Sequence, residues 1–211
     1  MSSNAFGCLN CSYSPYDTNT NFSSVESFSD NKLHFIEDTD YIFIHIPKTG
    51  GTSFCKRYLK YQVSHVKAHN YDEEQLKKSV TIVRNPYSRI ISCYKYFKTE
   101  KTYWGKTNYK LLDYCKTNSF SNLVDDLYNK SLPYDQHLEP QHNFLKKKEK
   151  IFTKIMKLEN LEEDFYKIFK KKLDMEHLNK SVEIEINISE DTKNKIYEIY
   201  KKDFELFGYL K

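Results

Sequence analysis

Short apolar runs alternate along the chain with longer stretches in which apolar residues recur at helical spacing. Three runs have the length and β-branched content of buried strands, namely Tyr41–Ile46, Val80–Val83 and Ile151–Leu158. Helical spacing is strongest over residues 54–61, 86–97, 119–130, 161–173 and 189–207. This alternation predicts an α/β fold, with a mostly parallel sheet, helices on both faces and ligands at the carboxyl ends of the strands.

Residues 1–38 differ from the rest of the chain because Ser, Asn, Asp and Thr dominate them and apolar periodicity is weak. Such a segment buries too little surface to offset the entropy of ordering, so we expect a flexible polar N-terminal tail. Residues 39–211 then form the folded part, and 211 residues with 39% hydrophobic content favour a single domain. Cys8 and Cys11 form a lone CxxC pair without a second ligand pair, so we expect no metal site.

Charge is spread along the chain rather than gathered in one arm. The 33 basic and 29 acidic residues leave a net charge of +4, which suits an anionic ligand but does not indicate nucleic-acid binding. No basic stretch followed by an apolar run marks the N-terminus, and no apolar run is long enough for a bilayer. We therefore expect a cytoplasmic or otherwise soluble protein without a membrane span, and its oligomeric state stays open.

The most informative local pattern is Pro47-Lys48-Thr49-Gly50-Gly51-Thr52-Ser53, which follows the first predicted strand. Its paired glycines let the backbone turn sharply, so that amides point at an anion on the next helix N-terminus, which Thr52 or Ser53 can cap. Lys48 places a compact positive charge where negative charge develops during group transfer, so it is the leading catalytic candidate. The residues predicted to bind the anionic cofactor here are Lys48, Thr49, Gly50, Gly51, Thr52 and Ser53.

Two other interpretations of this loop stay open. In the loop of nucleoside triphosphatases, GxxxxGK[ST], the lysine follows the last glycine, whereas here it precedes both glycines. No aspartate follows the second predicted strand to hold magnesium, since Val80–Val83 leads into Arg84. A P-loop nucleotide kinase is therefore the second candidate function. A plain strand-to-helix turn would explain the glycines, but not the lysine and hydroxyls beside them.

A second strand-to-helix turn begins at Arg84. Asn85 suits the N-cap of the following helix, and Pro86 suits its first position. An arginine at a strand end can fork onto phosphate oxygens, and a helix N-terminus favours an anion. Two such turns on neighbouring strand ends suit a nucleotide with phosphates at both ends, so we expect Lys48 and Arg84 to share one cleft. Arg89 is either a further ligand contact or a solvated helix charge.

Four segments together resemble the sulfotransferase family, particularly its carbohydrate-type members. PKTGGTS, beginning at Pro47, is similar to the family's 5′-phosphosulfate loop, and VRNPYSRIISCYKYF, beginning at Val83, is similar to its 3′-phosphate segment. Residues 157–165 resemble the family's later strand-to-helix segment, and residues 200–209 resemble its usual C-terminal ending. The four segments occur in the family's order, so the resemblance spans the chain from about residue 41 to the C-terminus.

This resemblance implies a P-loop-like fold and a defined reaction. A sulfuryl group moves from 3′-phosphoadenosine 5′-phosphosulfate (PAPS) onto an acceptor hydroxyl, most often on a carbohydrate or glycan, and no metal is required. The resemblance also implies that Arg84 and Ser92 grip the 3′-phosphate of the donor. A protein tyrosine acceptor and a non-catalytic nucleotide-binding relative stay open as alternatives.

Transfer to a hydroxyl requires a base, and histidine has the pKa best suited to neutral pH. His69 resembles the position at which relatives carry a basic histidine, so it is the predicted catalytic base. His137 and His142 flank Glu139-Pro140-Gln141, which resembles the family's acceptor-side loop, and they are reserve candidates. His45 alternates with isoleucines on the first predicted strand and is expected in the core.

Overall fold

A computed structural model describes residues 34–60, 64–99, 109–132, 135–175 and 184–211. The strands in these ranges are β1 (Ile42–Ile44), β2 (Ser79–Val83), β3 (Lys146–Lys147), β4 (Lys150–Ile151) and β5 (Lys154–Lys157). The helices are α1 (Gly51–Tyr58), α2 (Glu73–Lys77), α3 (Pro86–Thr99), α4 (Tyr109–Thr117), α5 (Phe120–Tyr128), α6 (His142–Leu145), α7 (Leu161–Phe169) and α8 (Glu190–Phe207). Short 3-10 turns lie at Ala68–Asn70 and Leu158–Asn160.

The strands β1, β2 and β5 form a parallel sheet with β2 in the centre. Every residue of β1 and β2 is buried, as expected for parallel strands that are covered on both faces. The register pairs Phe43 with Val80 and Ile82 with Met156. Because the strands are parallel, their carboxyl ends lie along one edge of the sheet.

The predicted strand Ile151–Leu158 is divided in the structure. Its first residue belongs to the β3–β4 hairpin, whose turn residues Lys148 and Glu149 have left-handed φ angles of 47° and 62°. The chain leaves the hairpin at Phe152 and joins the parallel sheet only over β5. Apolar content could not separate the two elements, because residues of both lie against the core.

Helices cover both faces of the parallel sheet, which confirms the predicted α/β class. On one face, strand residues pack against α1 and α7 in a cluster that includes Phe43, Val80, Ile82, Met156, Phe54 and Phe165. On the other face, they pack against α2 and α6 in a cluster that includes Ile42, Ile44, Val83, Leu76 and Phe144. A third cluster joins α3, α4, α5 and α8. Within the ranges that the structure describes, no helix has both the length and the apolar character needed to cross a bilayer.

The folded part begins before the predicted boundary at residue 39. Ile36 is buried in the core, and Phe35 forms an isolated antiparallel bridge with Ile42. These contacts, together with the hydrogen bond from the Ile36 N–H to the Tyr41 carbonyl oxygen at 2.8 Å, join the end of the predicted tail, residues 1–38, to the start of β1. Two apolar residues are too few for a periodic signal, so only the packing reveals them. The rest of the predicted tail, with Cys8 and Cys11, lies outside the described residues.

Candidate active site

The loop after β1 turns into α1 through two left-handed residues. Lys48 has a φ of 67° and Gly50 a φ of 84°, and α1 begins at Gly51. Gly50 occupies the N-cap position and makes no side-chain hydrogen bond, so the predicted capping by Thr52 or Ser53 is wrong. The helix therefore starts inside the glycine pair, and its first amides face the loop.

The glycines of this loop are also required by packing. A Cβ on Gly51 would lie 2.1 Å from Cδ2 and 2.2 Å from Nε2 of the His45 ring. A Cβ on Gly50 would lie 2.9 Å from Cδ1 of Leu158. Real Cβ contacts are never this short in a close-packed interior, so a larger residue at Gly51 would displace the imidazole. His45 is buried, as its alternation on the strand predicted.

The side chains of the loop point in different directions. Thr49 is fully buried, and its hydroxyl donates to the carbonyl oxygen of Ile46 at 2.9 Å. Ser53 is also buried, whereas Thr52 is exposed on the first turn of α1. The ammonium of Lys48 lies 3.8 Å from the ring centroid of Tyr96 on α3, a cation–π contact that holds it between the loop and that helix.

The turn after β2 lies directly beside the loop after β1. The guanidinium Nη1 of Arg84 donates to the carbonyl oxygen of Lys48 at 3.4 Å. Arg84 is half-buried, and this burial lowers the pKa of its guanidinium, while Glu159 opposes that effect. Arginine stays charged in proteins even so. The two turns therefore form one cationic edge at the carboxyl ends of β1 and β2, as the sequence predicted.

The start of α3 is satisfied by protein groups. The Oδ1 atom of Asn85 accepts from the backbone N–H of Tyr87 at 3.0 Å, which confirms Asn85 as the N-cap. The Asn85 N–H donates to Glu159 at 2.7 Å, and the Tyr209 hydroxyl donates to the other oxygen of that carboxylate at 2.9 Å. Ser92 lies buried one turn beyond Ser88 on this helix. At this turn the side chain of Arg84, rather than the helix amides, faces the cleft.

Arg89 is not a solvated helix charge. It is buried on α3, its Nε donates to the carbonyl oxygen of Pro47 at 2.9 Å, and its Nη1 donates to that of Glu139 at 2.8 Å. The buried Nη2 atom has no hydrogen-bond partner among the described residues. Arg89 thus ties α3 to both the loop after β1 and the segment around Glu139.

The side chain of Gln141 holds the backbone of Arg84. Its Oε1 accepts from the Arg84 N–H at 2.9 Å, and its Nε2 donates to the Arg84 carbonyl at 2.8 Å. Asp203 of α8 in turn accepts from the backbone N–H groups of Gln141 and His142, at 2.7 and 2.9 Å, and from Nδ1 of His142 at 2.7 Å. The reserve candidate His142 is therefore engaged in a buried pair with Asp203.

A cluster of histidines lies behind the loop. His65, on the segment after α1, has its Nδ1 atom 3.2 Å from the carbonyl oxygen of His45, and the two rings are 4.4 Å apart. The ring of His137 lies 5.9 Å from that of His65, and Nδ1 of His137 lies 2.8 Å from Asp135. His137 also stacks on Tyr96, the ring that carries the Lys48 ammonium. The cluster thus reaches the Lys48 side chain through His137 and Tyr96.

The environments of His65 and His69 differ sharply. Burial lowers the pKa of His65 well below its usual range, and the nearby His45 and His137 add to this effect. A carbonyl oxygen only accepts, so the hydrogen bond to His45 places the His65 proton on Nδ1 and leaves a lone pair on Nε2. His69, by contrast, is exposed on the 3-10 turn Ala68–Asn70. Sequence reasoning missed His65 because nothing in its local sequence signals contact with His45.

No group of three or more His, Cys, Asp or Glu side chains in the described ranges has an arrangement that could hold a metal ion. The described cysteines, Cys55, Cys93 and Cys115, are buried.

Comparisons with known proteins identify the family. The model of a family described as "Sulfotransferase family" matches residues 32–210, a range that includes both turns and all the strands of the sheet. Searches of curated proteins and of solved structures gave no significant match. The family match supports sulfuryl transfer and does not favour the nucleotide kinase alternative. Because the match covers most of its length, the chain belongs to the sulfotransferase family, of the family 2 type.

Proposed function

We propose that this chain transfers a sulfuryl group from PAPS to a hydroxyl of a carbohydrate acceptor, with Lys48 as the principal catalytic residue and without a metal. The observation that carries the proposal is the contact between the two turns, where Arg84 Nη1 lies 3.4 Å from the Lys48 carbonyl. A donor with phosphates at both ends of one adenosine requires two cationic turns within a nucleotide's length. A triphosphate bound at a single loop does not.

The loop after β1 fits the 5′-phosphosulfate end of PAPS. The first amides of an α-helix have no partner inside the helix, and Gly50 supplies no side-chain cap to α1. Because Gly50 and Gly51 have no Cβ, a bound anion can approach the backbone of the loop closely. The amides of Gly51 and Thr52, together with the Lys48 ammonium, then face the group that carries negative charge.

The turn after β2 fits the 3′-phosphate end. The guanidinium of Arg84 presents a planar set of donors to phosphate oxygens, and a weak bond to the Lys48 carbonyl leaves that set available. Ser92 on α3, eight residues after Arg84, is the second predicted contact for this phosphate. This assignment predicts that the donor is recognised chiefly through its two anionic ends.

Each side chain of the site then has one chemical task. The donor supplies an activated sulfuryl group, which leaves the oxygen of its 5′-phosphate and forms a bond to the acceptor oxygen. Lys48 neutralises charge on the transferring group and on the departing phosphate oxygen. A histidine accepts the acceptor's hydroxyl proton. Tyr96 holds the Lys48 ammonium by its ring face, which limits the directions in which that ammonium can point.

Two histidines are candidates for the base. The family resemblance favours His69, which is exposed to an approaching acceptor. The contacts of the cluster favour His65, whose neutral ring holds its proton on Nδ1 toward His45 and keeps a lone pair on Nε2. We propose His65, because its ring belongs to the cluster that reaches the Lys48 ammonium through His137 and Tyr96. Its Nε2 atom keeps a lone pair that can accept a proton.

A thermal-shift experiment tests the donor assignment. We expect 3′-phosphoadenosine 5′-phosphate (PAP) to raise the melting temperature in the presence of EDTA, because binding to the folded state alone stabilises it. ATP with magnesium is expected to give no comparable shift. Stabilisation by ATP that depends on magnesium, without an effect of PAP, would instead support a nucleotide kinase.

Glutamine variants of the two histidines test the base assignment. General-base catalysis is worth about 100-fold or more, so His65→Gln is expected to lose about that factor in sulfuryl transfer, while His69→Gln retains activity. Wild-type activity is also expected to persist below pH of about 6.5, the ordinary histidine value, because the pKa of His65 is lowered. The opposite ranking of the two variants would make His69 the base.

Acceptor class is tested with PAPS that carries a radioactive sulfur. We expect label to enter glycan acceptors and not tyrosine-containing peptides, since the family 2 type of this chain resembles the carbohydrate-directed group. Label in peptide tyrosine alone would overturn the carbohydrate acceptor while leaving the donor assignment intact.

A further inference from the structure

The amide of Gln141 pairs with Arg84 in an unusual way. It accepts from the backbone N–H and donates to the backbone carbonyl of the same residue, at 2.9 and 2.8 Å, and Gln141 is 0% exposed. Such a two-point contact imitates the pairing of a neighbouring strand, at a position just beyond the last residue of β2. It fixes both backbone groups of Arg84, and therefore the direction in which its side chain leaves the chain.

The backbone of Gln141 is itself held by a carboxylate of α8. Asp203 of α8, which is 0% exposed, accepts from the backbone N–H groups of Gln141 and His142. A buried carboxylate retains its charge at acceptable cost only when several donors surround it, and His142 Nδ1 supplies a third. The helix α8 and the Arg84 turn are thus joined through a rigid, fully hydrogen-bonded path.

The start of α3 has supports that do not involve Gln141. The N-terminus of α3 is capped by Asn85, and the Asn85 N–H donates to Glu159. What the path adds is a fixed backbone at Arg84. A backbone that is already ordered does not have to lose that conformational entropy when its side chain binds phosphate.

We propose that Gln141, held by Asp203, is a positioning residue that sets Arg84 for recognition of the donor's 3′-phosphate. The inference rests on the proposed function, since it requires that Arg84 binds this phosphate. Gln141 touches neither the donor nor the acceptor in this role. It determines how strongly the site prefers a nucleotide with a 3′-phosphate over one without it.

The test compares the affinities of PAP and adenosine 5′-phosphate in calorimetric titrations. The variant Gln141→Met keeps the length of the side chain but removes both hydrogen bonds to Arg84. We expect it to lose about 10-fold or more of the preference for PAP, with affinity for adenosine 5′-phosphate nearly unchanged. The matched control is Ser79→Ala, which removes buried hydrogen bonds at the opposite end of the same strand.

The control separates positioning from general destabilisation. Ser79→Ala is expected to lower the melting temperature yet leave the preference for PAP as in the wild type. If Gln141→Met does not fold, Gln141→Glu decides, because it retains an oxygen that can accept from the Arg84 N–H. This variant is expected to lose part of the preference.

Failure of this inference differs visibly from failure of the proposed function. A wild-type protein that binds the two nucleotides equally would overturn the donor assignment and this inference together. A wild-type preference for PAP that survives intact in Gln141→Met, or in Gln141→Glu if only that variant folds, would overturn this inference alone.

Discussion

The two strand-to-helix turns at the sheet edge occupy equivalent places in the topology but are built in opposite ways. After β1, a left-handed lysine and a left-handed glycine lead into α1, and no side chain caps the helix from Gly50. After β2, Asn85 caps α3 and Glu159 accepts from the Asn85 N–H. The first turn leaves the amides of α1 without a side-chain cap, whereas the second uses its amides within the protein.

This difference separates two means of holding an anion. A turn of glycines offers backbone amides and the helix field, which suit a group whose charge changes during the reaction. A capped turn offers a single guanidinium on a fixed backbone, which suits a phosphate that only has to be recognised. The comparison predicts that changes at the first turn affect catalysis most, and that changes at the second affect nucleotide selectivity.

Lys48→Ala is expected to have the largest effect. Loss of a charge donor of this kind costs about 3 kcal/mol of transition-state stabilisation, or about 100-fold in rate, while the variant stays folded. Sulfuryl transfer from labelled PAPS measures the loss. The matched control is Lys98→Ala. Lys98 lies on α3, and its ammonium lies over the ring of Tyr94 on that helix, outside the proposed cleft. Full activity of Lys48→Ala would end the catalytic assignment.

Arg84→Met is expected to reduce selectivity rather than chemistry. A hydrogen bond to a charged group contributes about 1.5 to 3 kcal/mol, so the preference for PAP over adenosine 5′-phosphate should fall about 10- to 100-fold. Titration calorimetry measures both affinities. Arg57→Met, which removes an exposed arginine paired with Asp174, serves as the control. An undiminished preference in Arg84→Met would exclude its proposed contact with the 3′-phosphate.

Gly51→Ala is expected to destabilise the first turn and to weaken PAP binding. Its methyl group would overlap the buried His45 ring at 2.1 Å, and overpacking of this kind costs about 1 to 3 kcal/mol. Gly208→Ala is the control: its Cβ has room, so only the left-handed φ of 62° opposes it. Chemical denaturation and the PAP-induced thermal shift measure the two effects. Equal PAP-induced thermal shifts in both variants would show that PAP binding does not require Gly51.

Asn85→Ala is expected to have the smallest functional effect. Removal of an N-cap costs about 1 kcal/mol of folding stability, and PAP affinity should change little because the α3 amides are not assigned to the ligand. Ser119→Ala, which removes the cap of α5, is expected to cost a similar amount far from the site. A large loss of PAP affinity in Asn85→Ala, absent from Ser119→Ala, would mean that the second turn also binds through its helix N-terminus.

Much of the site followed from local sequence, because its turns are built from residues close together in the chain. At the first turn, β1, the glycine pair and α1 follow one another without a gap in the chain. At the second turn, Arg84, Asn85 and Pro86 are consecutive. Chain geometry alone therefore places the residues of each turn together. The prediction that the two turns adjoin needed only the parallel order of β1 and β2. The α/β class with helices on both faces followed from the alternation of strands and helices for the same reason.

Only the tertiary structure decided the features that join distant segments. Gln141 meets Arg84 across 57 positions, and Asp203 meets Gln141 across 62. The ring of His65 packs on that of His45, 20 positions earlier in the chain. The division of the predicted third strand and the burial of Ile36 likewise depend on contacts between distant segments. Local propensity and periodicity report on neighbours in the chain, whereas these contacts exist because packing of the sheet and its helices brings remote side chains together.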